Sequence, residues 1–269
     1  MAGIVAAADD GSGVTGVAPG TRLASVRVVG ADGYVTPEAA VCGYVWAARH
    51  GLDVTNASFT VAPTGVACTA GPGRAVVHEA VARAVEFADQ AGTLNVAAAT
   101  NDGLELAPLP GSEHSGRTSG ADEALARACV AVPAALQETV TVSAVDRHAE
   151  KADYSSYGRG VIDLAAPGGT AGDCVVSTVP GGYDRLCGTS MAAPHVSGAA
   201  ALLATDRSPD EIRQLLGRQA RPLDCPSAAR EDGECSGPRG DDAFHGAGMV
   251  DAKAARTVHQ LSVLLSTDN

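Results

Sequence analysis

"LCGTSMAAPHVSGAAALL", from Leu186 to Leu203, places Ser190 two residues after a glycine and at the head of a run of small residues. A run so rich in alanine, with Gly198 inside it, reads as a helix packed closely against its neighbours. The N-terminus of such a helix carries unpaired N–H groups and the positive end of the helix dipole. That is where a fold places a nucleophile, and the stretch raises the question of which group would take its proton.

The elements upstream of this helix decide the fold class. "TRLASVRVV" (Thr21–Val29) reads as a buried strand. "TPEAAVCGYVWAARHG" follows as a helix, with Thr36 as N-cap, Pro37 at the first position and Gly51 as its stop. "LDVTNASF" is a second strand, "RAVVHEAVARAVEFADQAG" a helix with apolar residues at helical spacing, and "TLNVAAAT" a third strand. Strands alternating with helices predict right-handed crossovers. The fold class is therefore α/β, three-layered, with a mostly parallel sheet and helices on both faces.

Beyond a long polar stretch (Asp102–Val132) come "ETVTVSAV" and "GVIDLAAPGG" as strands, then a hairpin leading to Ser190. "SPDEIRQLLGRQA" is a helix opened by a capping box, Ser208 with Glu211. A Pro/Gly/Asp-rich loop (Arg221–Gly240), "HGAGMVDAKAA" and a last helix complete the chain. Neither an internal repeat nor a linker interrupts it, so residues 1–269 read as a single domain.

Composition narrows the function. The 269 residues are 45% hydrophobic but only 3% aromatic, so the core is built from Ala, Val and Leu. A net charge of −12 without a basic run argues against nucleic acid as a partner. No apolar stretch reaches the roughly 18–20 residues of a membrane span. "MAGIVAAADD" lacks the positive start of a signal peptide.

None of the seven cysteines falls in a C-x-x-C pair, so a zinc or thioredoxin-type site is not expected. Cys174 and Cys187 lie equidistant from the Pro180-Gly181 turn and so face each other across a hairpin. Cys225 and Cys235 flank a loop as a second expected pair. Cys68 with Cys129 is a weaker third, and Cys42 is expected to be a small buried hydrophobe. Disulfides imply an oxidising compartment.

Three decoys fail on context. "GSGVTG" (Gly11–Gly16) matches the dinucleotide fingerprint, but a Pro-Gly turn and a strand follow it, not the helix that would receive a pyrophosphate. The α/β-hydrolase elbow needs glycine two residues after its serine, and Ala192 stands there. His195 lies five residues after Ser190, about 140° around the same helix. It reads as a packed, hydrogen-bonded histidine. His50, His78, His114 and His148 fall at helix ends, faces or loops. Asp9 and Asp10, in "AADDGSGV", offer oxygens to a cation, yet two aspartates in a turn are ordinarily solvated. No metal is assigned and no cofactor is expected.

"GTSMAAPHVSG" resembles the serine motif of the subtilisin-like serine peptidases. "GVTGVAPGTRLASVRV", "DVTNASF", "NVAAATNDG", "YSSYGRGVIDLAAPGG" and "GAGMVDAKAA" resemble further segments of that family, in the family's order. The resemblance implies an endopeptidase with Ser190 as nucleophile and Asn101 as oxyanion donor. It implies a substrate cleft lined by Ser58, Phe59 and Thr60 on one side and Ala98, Ala99 and Thr100 on the other. Thr60 and Thr100 replace the glycines usual at those places, which implies a narrowed cleft and a preference for small side chains.

The family's triad runs Asp, His, Ser along the chain. Met1 aligns just before the Ala-Gly of the histidine motif, so the histidine and aspartate are expected upstream of Met1. Two explanations stay open. Either the natural protein is a complete secreted peptidase started at an internal Met, or it is a shortened, non-catalytic remnant or binding module. In either case the chain alone is expected to be nearly inert and prone to aggregate. A monomer acting on a polypeptide substrate is the expected form.

Overall fold

The computed structural model describes residues 1–62, 65–67, 72–107 and 129–266. In chain order the elements are α1 (Ala2–Ala6), α2 (Pro37–Arg49), β1 (Val54–Ala57), β2 (Val66–Ala67), α3 (Pro72–Gln90) and β3 (Leu94–Ala98). Then come β4 (Val130–Ala131), β5 (Thr139–Val145), β6 (Leu164–Pro167), β7 (Val175–Val179) and β8 (Gly182–Leu186). Four helices close the chain: α4 (Thr189–Leu203), α5 (Pro209–Gln219), α6 (Ser227–Glu231) and α7 (Ala252–Ser266).

The central sheet is parallel throughout, in the order β1-β3-β5-β6. β3 and β5 are buried along their whole length, as expected of strands covered on both faces. One face packs against α2 and α3 through Tyr44, Val81, Val85 and Ala97. The other packs against α4, α5 and α7 through Val96, Val142, Leu164, Val196 and Leu203. This is the three-layer α/β arrangement predicted above.

Local signals acted where expected. Thr36 caps α2 by accepting a bond from the Ala39 N–H at 3.3 Å. Ser208 and Glu211 form the reciprocal capping box at the start of α5. Gly11–Gly16 is a turn with no helix after it. Its Gly16 N–H reaches Ala7 O at 2.9 Å, an approach that a side chain at Gly16 would obstruct.

Two expectations need correction. Thr21–Val29 is extended but is not a buried strand: a single bridge joins Val29 to Val35, and Leu23, Val26 and Val29 are 54%, 37% and 44% exposed. Among the described residues no second strand pairs with it, and an apolar run is buried only where neighbours cover both its faces. Cys42 is exposed rather than buried. α2 buries Ala40, Tyr44, Ala47 and Ala48, and Cys42 lies about 200° around the helix from Ala40, on the opposite face.

Both favoured disulfides are present, Cys174–Cys187 across the β7–β8 hairpin and Cys225–Cys235 around α6. Cys129 is also disulfide-bonded. The expected partner, Cys68, lies outside the described residues, as does His114. No helix of the described residues is long and apolar enough to cross a membrane.

Candidate active site

The N-terminus of α4 is set by Gly188, whose φ of 153° is one that residues with a side chain rarely adopt. The Gly188 N–H donates to Gly168 O at 3.0 Å, and its own carbonyl accepts the Met191 N–H at 2.9 Å. Thr189 and Ser190 are the first two helical residues, so their N–H groups have no partner within the helix. Behind them Ala192, Ala193, Val196 and Ala199 are fully buried. Gly198 admits Val17 so closely that a Cβ there would stand 2.7 Å from the valine Cβ. Small residues thus bring α4 close enough to the sheet to present Ser190 at the strand ends.

β1 and β3 are adjacent and parallel, and both run toward Ser190. After β1, Ser58 Oγ donates to Ser190 O at 3.3 Å. Asn56 Nδ2 donates to that same Ser58 Oγ at 2.9 Å, and Asn56 Oδ1 accepts from Ser197 Oγ at 2.9 Å. A polar chain therefore ties the end of β1 to α4 at two points about two turns apart. Asn56 and Ser197 were not singled out in the sequence. The available signal was an asparagine inside a strand that the pattern makes half-buried, where an amide needs a partner.

After β3 the chain turns sharply. Thr100 adopts φ 81°, is 7% exposed, and its Oγ1 lies 2.7 Å from Ser156 Oγ. This places Asn101 against α4. Asn101 Oδ1 accepts two bonds, from Thr189 N–H at 2.9 Å and Thr189 Oγ1 at 2.8 Å. A backbone N–H can only donate, so the carbonyl end of the amide is fixed and Nδ2 is left to donate elsewhere. A Cβ on Gly188 would lie 3.4 Å from Asn101 Nδ2 and 3.7 Å from Ser190 N. Asn101 Nδ2 and Ser190 N thus border one small space that glycine keeps open, with Asn101 Oδ1 3.6 Å from the same point.

Ala98, Ala99 and Thr100 are buried at the end of β3, and Phe59 packs partly into the core beside β1. Thr60 is partly buried.

No described residue hydrogen-bonds to Ser190 Oγ. His195 points elsewhere, its Nδ1 lying 2.9 Å from Met191 O on its own helix, and burial lowers its pKa from the ordinary histidine value. His50 Nδ1 contacts Trp46 O at 2.8 Å, while His148 is exposed in a turn. Asp10 and Asp9 are taken up locally, accepting from the Ser12 N–H at 3.0 Å and Thr15 Oγ1 at 3.4 Å.

The Cys174–Cys187 bridge ends one residue before Gly188, so it anchors the approach to Ser190. Replacing both cysteines with Ser is expected to cost about 3 kcal/mol, the loop-closure value for a bridge of this span. Thermal melting of the double variant checks this, and an unchanged melting temperature would contradict it.

Comparison with known proteins agrees with this geometry. Residues 1–248 match the profile of the Subtilase family of peptidases. The chain is 33% identical to subtilisin DY of Bacillus licheniformis over 259 residues, 95% of this chain and 75% of that protein. It is 32% identical to subtilisin Savinase of Lederbergia lenta over 260 residues, 95% of this chain and 75% of that protein. A solved protease of Pseudoalteromonas arctica superposes with a TM-score of 0.69 at 30% identity, covering 96% of this chain and 69% of that one. The epidermin leader peptide processing serine protease of Staphylococcus aureus shares the fold, with a TM-score of 0.73 at 22% identity over 95% of this chain and 62% of that one. With a serine at a glycine-opened helix, an asparagine held beside it and these relatives, the chain belongs to the subtilase family of serine peptidases.

Proposed function

We propose that the protein is a serine endopeptidase that hydrolyses peptide bonds through an acyl-enzyme, with Ser190 as nucleophile. The observation that carries this is the convergence of Asn101 Nδ2 and the Ser190 N–H on one space beside Ser190. Ser190 Oγ attacks the scissile carbonyl carbon and its proton passes to a base. The carbonyl oxygen becomes an anion between the two donors. Collapse expels the amine, which takes the proton, and water then releases the acyl group by the same steps in reverse roles.

The described residues supply no base to Ser190, so we assign that part to a histidine outside them, oriented by an aspartate. An alternative role, a non-catalytic peptide-binding module, is favoured by that same lack. The two differ in acyl transfer: a binding module holds peptide without ever forming an ester at Ser190.

The substrate is a polypeptide, bound between Ser58, Phe59 and Thr60 and the Ala98, Ala99 and Thr100 segment. Thr60 and Thr100 stand where similar enzymes usually carry glycine, so acylation is expected to favour small residues on the acyl side of the bond. A panel of activated peptide esters checks this; equal acylation by Phe and Ala esters would contradict it. Secretion, as a monomer without nucleic-acid partners, is proposed from the disulfides and the acidic charge.

A further inference from the structure

Thr100 stands in a conformation that its residue type resists. Its φ of 81° is left-handed backbone, where a β-branched residue is an outlier. Such strain persists only where the surroundings hold it, and Thr100 immediately precedes Asn101, the donor assigned to the oxyanion. The groups that hold it belong to residues 154–157, the turn that follows Lys151.

Ser156 grips Thr100 at two points. Its N–H donates to Thr100 O at 3.2 Å, and its Oγ lies 2.7 Å from Thr100 Oγ1. The same Oγ accepts the Leu104 N–H at 3.2 Å, so one hydroxyl joins both ends of the loop that carries Asn101. The Gly103 N–H donates to Tyr154 O at 2.9 Å, and the Tyr157 N–H to Leu104 O at 3.0 Å. Asn101 therefore rides on a loop fastened on both sides to one turn.

That turn is itself fixed. Ser155 Oγ accepts the Ala144 N–H of β5 at 3.0 Å, which ties the turn to the central sheet. Lys151 Nζ donates to Ala152 O and Ser155 O at 3.1 and 3.2 Å, and it lies 5.3 and 4.9 Å from the ring centres of Tyr157 and Phe244. Ser155 and Ser156 are fully buried, so neither touches a substrate.

We propose that Ser156 is a positioning residue for acyl transfer: its hydroxyl clamps Thr100 in the left-handed conformation and so aims Asn101 Nδ2 at the oxyanion. The inference rests on the reading of Ser190 as the acylated group and Asn101 as the donor. Thr189 holds the carbonyl end of the Asn101 amide from α4, while Ser156 holds the backbone from which that side chain springs. A side chain pinned only at its tip leaves its backbone free to shift, and a misplacement of about 1 Å can cost on the order of 10²-fold in rate. Loss of the Ser156 hydroxyl leaves its N–H on Thr100 O, so the shift is partial and the expected loss is about tenfold.

The test follows acylation of Ser190 in the full chain, with imidazole supplied as the base, in single turnovers across ester concentration. Ser156→Ala is expected to lower the limiting rate about tenfold while leaving ester affinity and the ratio of Ala to Phe ester rates unchanged. Thr100→Val keeps the branched shape, drops the hydroxyl and should lose a similar factor. Thr100→Ser keeps the hydroxyl and should lose less. The losses of Ser156→Ala and Thr100→Val should not add in the double variant, because both break one contact. A wild-type limiting rate in Ser156→Ala, a loss confined to ester affinity, or fully additive losses would each overturn the proposal.

A second measurement does not depend on catalysis. The buried Thr189 N–H is bonded to Asn101 Oδ1, so its exchange with solvent reports how often that amide lets go. Ser156→Ala should speed this exchange about tenfold relative to the Val196 N–H of the same helix. A wild-type chain that leaves Ser190 unacylated defeats the reading of function, and Thr189 exchange then decides the clamp alone. Faster exchange in the variant supports it, and unchanged exchange overturns it.

Discussion

Hydrolysis of unactivated peptides by the 269-residue chain alone is expected to run on the order of 10⁶-fold below that of subtilisin, the loss found when subtilisin's own histidine is removed. The reason is specific. Ser190 is presented by a correctly opened helix, yet no described histidine reaches its hydroxyl, and His195 is committed to Met191 O. A serine without a base is a weak nucleophile at neutral pH. Free imidazole added to the assay should therefore accelerate acylation of Ser190 in proportion to its concentration. Ser190→Ala should abolish that acceleration. Full peptidase activity without imidazole would place a base among the residues not described and end this part of the account.

Asn101→Ala is expected to lower imidazole-assisted acylation by on the order of 10²–10³-fold, the size of the effect when subtilisin loses its oxyanion asparagine. The Asn101 carbonyl is held by both donors of Thr189, so its Nδ2 is aimed before any substrate arrives. A donor fixed in advance needs no reorganisation as charge develops, and that is why its loss falls on the rate of acylation. Binding of the ester should change little, because the ground-state carbonyl carries far less charge. Thr189→Val removes one of the two bonds that aim the amide and should give a smaller loss. Single-turnover acylation measured across ester concentration separates the two effects. A change in binding alone would mean that Asn101 shapes the cleft and does not stabilise the anion.

The parts of this molecule legible in its sequence are those governed by neighbours along the chain. Thr36 and Ser208 announced their helices because a cap acts within three residues. The buried strands β3 and β5 were legible as short stretches rich in Val, Ala and Thr following a helix or a polar stretch, and Cys174 faced Cys187 because a two-residue turn fixes what lies opposite. Ser190 was legible as a glycine followed by a small-residue helix.

What escaped depends on distance along the chain. Asn56 and Ser197 meet across 141 residues, and Asn101 and Thr189 across 88. No spacing rule predicts such a pair. Thr21–Val29 has the composition of an inner strand, but burial requires partners that composition does not contain. Cys42 failed for a different reason: on an alanine-rich helix the buried face cannot be read from apolar residues alone, since nearly every position is apolar. Asp242 and His245 sit in a loop whose sequence looks solvated, yet both are almost wholly buried.

The central claim is that Ser190 and the two N–H donors beside it form a site for a tetrahedral oxyanion. A small peptide boronate tests it without needing a protein base, because boron accepts the serine oxygen to become a tetrahedral anion while the hydroxyl proton passes to the buffer. The account predicts a boron-11 resonance at the tetrahedral position in the wild-type chain, lost in Ser190→Ala and weakened in Asn101→Ala. A boronate that stays trigonal in the wild-type chain, or turns tetrahedral equally well without Ser190, would contradict it.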